Sequence, residues 1–111
     1  MKIAISIQEA DIHAAIDAHF GRCRNFCIVD TLSGGRTLLD NAAGADSTQG
    51  AGFHAVEAVA RLGAEAVITG QLGPKAESAL RAAGIKAYRA ENGTVDDALA
   101  LLKAQKLTQL A

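Results

Sequence analysis

A basic surplus is missing from this sequence. Eleven Lys and Arg stand against twelve Asp and Glu, a formal net charge of −1, so there is no counterion release to drive binding to a nucleic-acid backbone. Aromatics are scarce as well. Three Phe, one Tyr and no Trp are too few for the stacking platforms that hold single-stranded nucleic acid. No apolar run approaches the ~18 residues that a membrane span requires. The apolar start Lys2–Ile7 is too short for a signal-peptide core and gives way at once to Gln8 and Glu9. The expected compartment is the cytoplasm, with neither nucleic acid nor membrane as partner. Cysteine is limited to Cys23 and Cys27. In a reducing compartment these are free thiols or ligands rather than a structural disulfide. C-x₃-C by itself is a weak metal signal, and no further cysteines complete a zinc or iron–sulfur site.

What is present is aliphatic. Half of the 111 residues are hydrophobic, mostly Ala, Leu, Ile and Val, as expected of one closely packed α/β domain over residues 1–111. Lys2–Ile7 is a nearly continuous apolar strand, covered on both faces. Gln8–Ala18 is polar-mixed, and its periodicity does not choose between a helical turn and a loop. His19–Asn25 leads into a second strand, Phe26–Thr31. Gly34-Gly35 supplies a hairpin turn, and Arg36–Leu39 returns antiparallel. Asp40–Gly52 is expected to be loop. A helix from Gln49 or Gly50 carries Phe53, Val56, Val59 and Ala60 on one side, with a Glu57–Arg61 pair on the other. After the Gly63 cap, Ala66–Thr69 is a buried strand. Pro74 opens a second helix, where its missing N–H costs nothing, and Ala76, Ala79, Leu80 and Ala83 stripe it. Ile85–Arg89 is the last expected strand. Thr94 and Asp97 start a final helix with a capping box, and the tail from Gln105 is expected to fray.

The order β-β-β-α-β-α-β-α predicts a mixed five-stranded sheet flanked by helices. A right-handed crossover sets the fourth strand parallel to the first. Chain direction then brings three loops to one end of the sheet: His19–Cys23, the glycine-flanked turn Gly50–His54, and Gly73–Lys75. That end is the carboxyl-edge crevice where open α/β sheets bind ligands. Two helix N-termini there, with Arg22, Arg24 and Lys75, favour an anion despite the balanced overall charge.

Each candidate has a plain alternative. His19, beside Gly21 on a loop, is a ligand or anion contact, or else an exposed or capping histidine. Cys23 is a thiolate whose pKa the flanking arginines lower, or a small buried filler. His54 is a pocket residue or a surface histidine. Lys75 is an anion contact, or part of a good helix start. Cys27, between Phe26 and Ile28, reads as core, and His13 as a solvated loop residue.

HFGR before a strand, a G-x-G helix start, then VITGQLGPKA, AAGIKAY and TVDDAL resemble the dinitrogenase iron–molybdenum cofactor biosynthesis family. That family includes NifX- and NafY-type carriers, the C-terminal part of NifB proteins and small stand-alone members such as orange protein, which holds a molybdenum–copper sulfide cluster. The resemblance spans about Lys2 to Leu102. It implies a three-layer ribonuclease H-like fold and a non-catalytic carrier of an anionic metal–sulfur cluster. The cargo would be an FeMo-cofactor precursor or a Mo/Fe or Mo/Cu sulfide, bound transiently between donor and acceptor proteins, as in nitrogen fixation. His19, Cys23 and His54 are the expected metal contacts. Gly21, Arg22, Gly50, Gly52, Gly73 and Lys75 complete the expected cofactor pocket. A monomer or weak dimer is expected. The alternative is a metal- or redox-responsive regulatory or protein-interaction module. A two-metal nuclease is disfavoured, because the first strand, KIAISI, has no carboxylate.

Overall fold

The computed structural model describes residues 1–46 and 50–110. In chain order the elements are β1 (Lys2–Ile7), β2 (Asn25–Asp30), β3 (Arg36–Asp40), α1 (Ala42–Ala45), α2 (Ala51–Arg61), β4 (Ala64–Thr69), α3 (Pro74–Ala82), β5 (Lys86–Arg89), α4 (Val95–Lys103) and β6 (Thr108–Gln109). They build one mixed sheet in the order β3-β2-β1-β4-β5-β6. β1, β4 and β5 run parallel, while β2 and β3 form an antiparallel meander from β1.

Strand alternation divides the core in two. On one face Ala4, Phe26, Ile28 and Val67 pack with Val56 and Val59 of α2 and Leu80 of α3. On the other, Ile3, Ile5, Ile7, Val29 and Ile68 pack with Val95 and Ala98 of α4. The sheet is thus the middle of three layers, and β1 at its centre is buried on both faces from Ile3 to Ile7, as a run like KIAISI requires. The Thr94–Asp97 capping box forms as expected at the start of α4. Among the described residues no helix is long and apolar enough to cross a membrane.

The sheet has six strands, not five. The expected frayed tail instead pairs Thr108 with Arg89 and Gln109 with Tyr88, and Leu110 N–H donates to Ala87 O at 2.7 Å. Leu107 and Leu110 each pack against one of the two cores, so burial on both faces holds a two-residue strand that local pattern is too short to reveal. The Asp40–Gly52 segment is not all loop either, since it holds α1 with buried Asn41 and Gly44. The expected start at Gln49 lies outside the described residues, and α2 is helical from Ala51. Its buried face is Ala51, Ala55, Val56 and Val59, while Phe53 is 50% exposed. An Ala-rich helix offers several apolar stripes, and close packing on the sheet and α3 selects the small one. Glu57, expected to pair with Arg61, lies 3.8 Å from His54, and on α3 Glu77 pairs with Arg81 at 2.6 Å.

His13 is exposed but not isolated. Its Nδ1 lies 2.8 Å from Asp96, whose other oxygen accepts from Arg36 at 2.7 Å. The Arg36 and His13 hydrogen bonds hold the Asp96 carboxyl down at about 2. A carboxyl depressed in the folded chain contributes stability that is complete above the ordinary range near ~3.9 and fades as pH falls through the folded value. The urea midpoint should therefore fall between about pH 4 and pH 2, and Asp96→Asn should flatten that part of the profile. An unchanged slope in the variant would show that other carboxyls carry the acid sensitivity.

Candidate functional site

β1 and β4 both end at one edge of the sheet, and β3 returns to it. The His19–Cys23 loop, the start of α2 and the start of α3 consequently share that edge. Between them lies a cleft of about 490 Å³, lined among others by His19, Gly21, Arg22, Gly50, Gly52, Gly73 and Lys75. Seven of the nine residues expected from sequence meet there.

The meeting depends on two missing side chains. A Cβ on Gly21 would lie 2.7 Å from Gly52 N and 2.9 Å from Gly52 Cα, so the loop lies directly on the first turn of α2. A Cβ on Gly52 would lie 2.9 Å from Ala76 Cβ, so α2 and α3 open side by side. These are close backbone approaches that only glycine permits.

The cleft is electropositive by construction. Arg22 and Lys75 are on its wall, and among the described residues no carboxylate is. Neither α2 nor α3 has a side-chain cap at its N-terminus, unlike α4 on the other face of the sheet. Among the described residues no side-chain cap takes up the first-turn N–H groups of these two helices, whose positive dipole ends lie at this edge. Arg22 is held in place by donating to Ala45 O at 2.9 Å. Among the described residues Lys75 enters no ion pair. His19 is exposed, with Nδ1 3.3 Å from Asp17 Oδ1.

Two expected contacts lie elsewhere. Cys23 is fully buried among Phe20, Phe26 and Val56, and its thiol donates to Phe20 O at 3.2 Å. Burial first, and then the charge of Asp17, push its pKa up to about 12. This is the opposite of the expected activated thiolate: the flanking arginines project outward, Arg24 to Asp46 and Arg22 to Ala45 O, so they do not stabilise a buried anion. His54 lines a separate smaller cleft with Asp40, Asn41 and Glu57, because α2 turns it about 100° away from Phe53. Cys27 is buried in the α4-side core, as its place in the strand predicts. Native protein should leave Cys23 unmodified by iodoacetamide near about pH 8 and react fully in denaturant. Rapid native alkylation of Cys23 would contradict its burial.

Sequence reasoning overlooked Asn41 and Gln71. Asn41 is 5% exposed, and its Nδ2 donates to Cys23 O at 2.8 Å, which fastens the loop to the start of α1. Gln71 pairs with His19 as a bridge, and its N–H donates to Ala18 O at 2.7 Å. The VITGQLGPK motif contained Gln71. Asn41 carried no signal beyond being polar in a polar segment.

The model of the dinitrogenase iron–molybdenum cofactor family matches residues 1–105. The chain belongs to that family. It is 32% identical over 110 residues to the uncharacterized protein MJ0580 of Methanocaldococcus jannaschii, covering 96% of this chain and 89% of that one. Among solved structures, the apo form of the orange protein of Desulfovibrio gigas superposes with a TM-score of 0.94 at 32% identity, covering 99% of this chain and 92% of that one. A Thermotoga protein described as NifB-like gives a TM-score of 0.86 at 31% identity, with coverage of 98% and 92%. This member of the dinitrogenase iron–molybdenum cofactor family therefore carries its cleft on a backbone shared almost end to end with those proteins.

Proposed function

We propose that this protein is a non-catalytic carrier of an anionic metal–sulfur cluster, held in the cleft between the His19–Arg22 loop and the starts of α2 and α3. The observation that carries the reading is the wall of that cleft: two uncapped helix N-termini, a guanidinium, an ammonium and an imidazole, with no carboxylate among the described residues. Such a surface suits a bulky polyanion whose sulfide atoms accept hydrogen bonds from N–H groups. It does not suit a bare cation, and among the described residues no three His, Cys, Asp or Glu side chains gather as a metal site. Among the described residues His19 is the one wall side chain with an imidazole, thiol or carboxylate to offer a metal. Few strong ligands favour a cargo that must leave again. Phe53, half exposed at the mouth, offers a donor or acceptor protein an apolar contact.

Catalysis has little to work with here. β1 has no carboxylate, and the buried Cys23 is far from a thiolate at neutral pH. The FeMo-cofactor precursor and the Mo/Cu or Mo/Fe sulfides named by resemblance are all polyanions of this class. The test is to incubate anaerobic apoprotein with tetrathiomolybdate and copper(I), or with iron and sulfide, then desalt and measure metal content and visible absorption. A stoichiometric chromophore is expected, reduced about tenfold in occupancy or affinity by His19→Ala and little affected by Cys23→Ala. Protein that stays colourless and metal-free under every loading would overturn the carrier reading.

A further inference from the structure

Asp17 is not on the cleft wall, yet it is built into what stands behind it. One oxygen, Oδ1, accepts from the His19 backbone N–H at 2.9 Å and lies 3.3 Å from His19 Nδ1. The backbone of Asp17 is itself anchored to the sheet. Asp17 N–H donates to Ser6 O at 2.8 Å, and the Ser6 hydroxyl donates to Asp17 O at 2.6 Å. Ser6 Oγ lies 2.8 Å from Thr69 Oγ1, and both hydroxyls are fully buried, at the ends of the two central strands β1 and β4. On the other side Gln71 N–H grips Ala18 O. The two residues before His19 are thus fixed to β1 and to the segment that follows β4, and the imidazole lies against a carboxylate carried on that framework.

We propose that Asp17 is a positioning residue: it holds the His19 ring with its proton on Nδ1, leaving Nε2 as the bare nitrogen offered to the cleft. A carboxylate accepting from one ring nitrogen fixes both the tautomer and the orientation of the ring, and it raises the basicity of the other nitrogen. The ring is otherwise exposed, with a side-chain exposure of 66%, and would turn freely. The inference rests on the carrier reading for the use of Nε2, but not for the tautomer. The Ser6–Thr69 pair then has a role beyond filling the core, since it holds the backbone from which the Asp17 carboxylate projects.

The experiment is ¹⁵N–¹H correlation of the histidine ring nitrogens in apoprotein at alkaline pH. Wild-type His19 should carry its proton on Nδ1. Asp17→Asn keeps an acceptor for the His19 N–H but replaces a charged acceptor by a neutral one, so the Nδ1–H form should lose population; Asp17→Ala should favour Nε2–H. Affinity for tetrathiomolybdate with copper(I) should fall by about tenfold in Asp17→Asn, with no further loss when His19 is already Ala. A wild-type ring protonated on Nε2, or a tautomer that Asp17 variants leave unchanged, would overturn the proposal whatever the cargo. If instead the tautomer shifts but His19→Ala binds as wild type does, the role of Asp17 stands and His19 is removed from the cargo site.

Discussion

Gly21→Ala should lower stability by about 2–3 kcal/mol and empty the cleft of ligand at the same time. The added methyl would sit 2.7 Å from a backbone nitrogen of α2 and 3.0 Å from Ala51 C. Backbone atoms cannot rotate aside as a side chain can, so the loop must lift from the helix or the helix must shift. Overpacking of this kind costs roughly 1–3 kcal/mol. In a chain of this length that lowers the thermal midpoint by roughly 10 °C. The loop carries His19 and Arg22, so their positions go with it. Gly73→Ala is the natural control. Gly73 lines the same cleft, but its φ is −74° and nothing lies within 4 Å of its virtual Cβ, so its midpoint should stay within a few degrees of wild type. Equal losses in the two variants would show that the close approach of loop and helix is not what holds the site together.

The second large effect separates binding from stability. Lys75→Glu replaces an ammonium on the cleft wall by a carboxylate at the second helical position of α3. An acidic residue in the first turn suits the helix dipole, so the thermal midpoint should hold or rise slightly. Binding should move the other way. A unit charge about 5 Å from an anion is worth on the order of 1–3 kcal/mol near a protein surface, and reversal changes two units. Affinity for thiomolybdate with copper should fall by about a hundredfold or more, and Lys75→Ala should fall by about tenfold. Both losses should shrink as salt shortens the screening length below ~8 Å. Undiminished binding by Lys75→Glu, measured by metal retention after desalting, would place the anion elsewhere.

The two variants probe different levels of the molecule. Gly21 acts through packing, by letting two elements touch. Lys75 acts through the field at the mouth and leaves packing alone. The Asp96 acid profile and the inertness of Cys23 test the opposite extremes, an exposed ion pair and a sealed thiol, and neither should change cargo binding.

How much of this was legible before the structure depends on the range of the interaction. β1, the Gly34-Gly35 turn, Pro74 at the head of α3 and the Thr94–Asp97 box depend on neighbours within a few residues, and each appears where the pattern placed it. The convergence of His19, Arg22, Gly52 and Lys75 was also legible, because strand direction alone determines which loops share an edge. Side-chain direction was not. Phe53 and His54 faced away from their expected positions because the rotation of α2 is set by Gly52 against Ala76, a contact between elements more than twenty residues apart. Cys23 sits two residues from Gly21, where the pattern left thiolate and buried filler both open. Its neighbours Phe20 and Phe26, with ring centroids 5.3 Å apart, enclose it only once the loop has folded onto the sheet.

The sequence by itself determined the family, the order of five strands and three of the helices, and the end of the sheet at which a ligand would sit. The family follows from the resemblance of its motifs, and the other two from local periodicity, turn chemistry and the handedness of crossovers. Only the tertiary structure decided which expected ligands face the cleft, that Cys23 is a core residue with a raised pKa, that Asp17 backs His19, and that Thr108–Gln109 closes the sheet. Each of those depends on two distant segments meeting at a particular register, and burial, hydrogen-bond partners and pKa are properties of that meeting rather than of either segment alone.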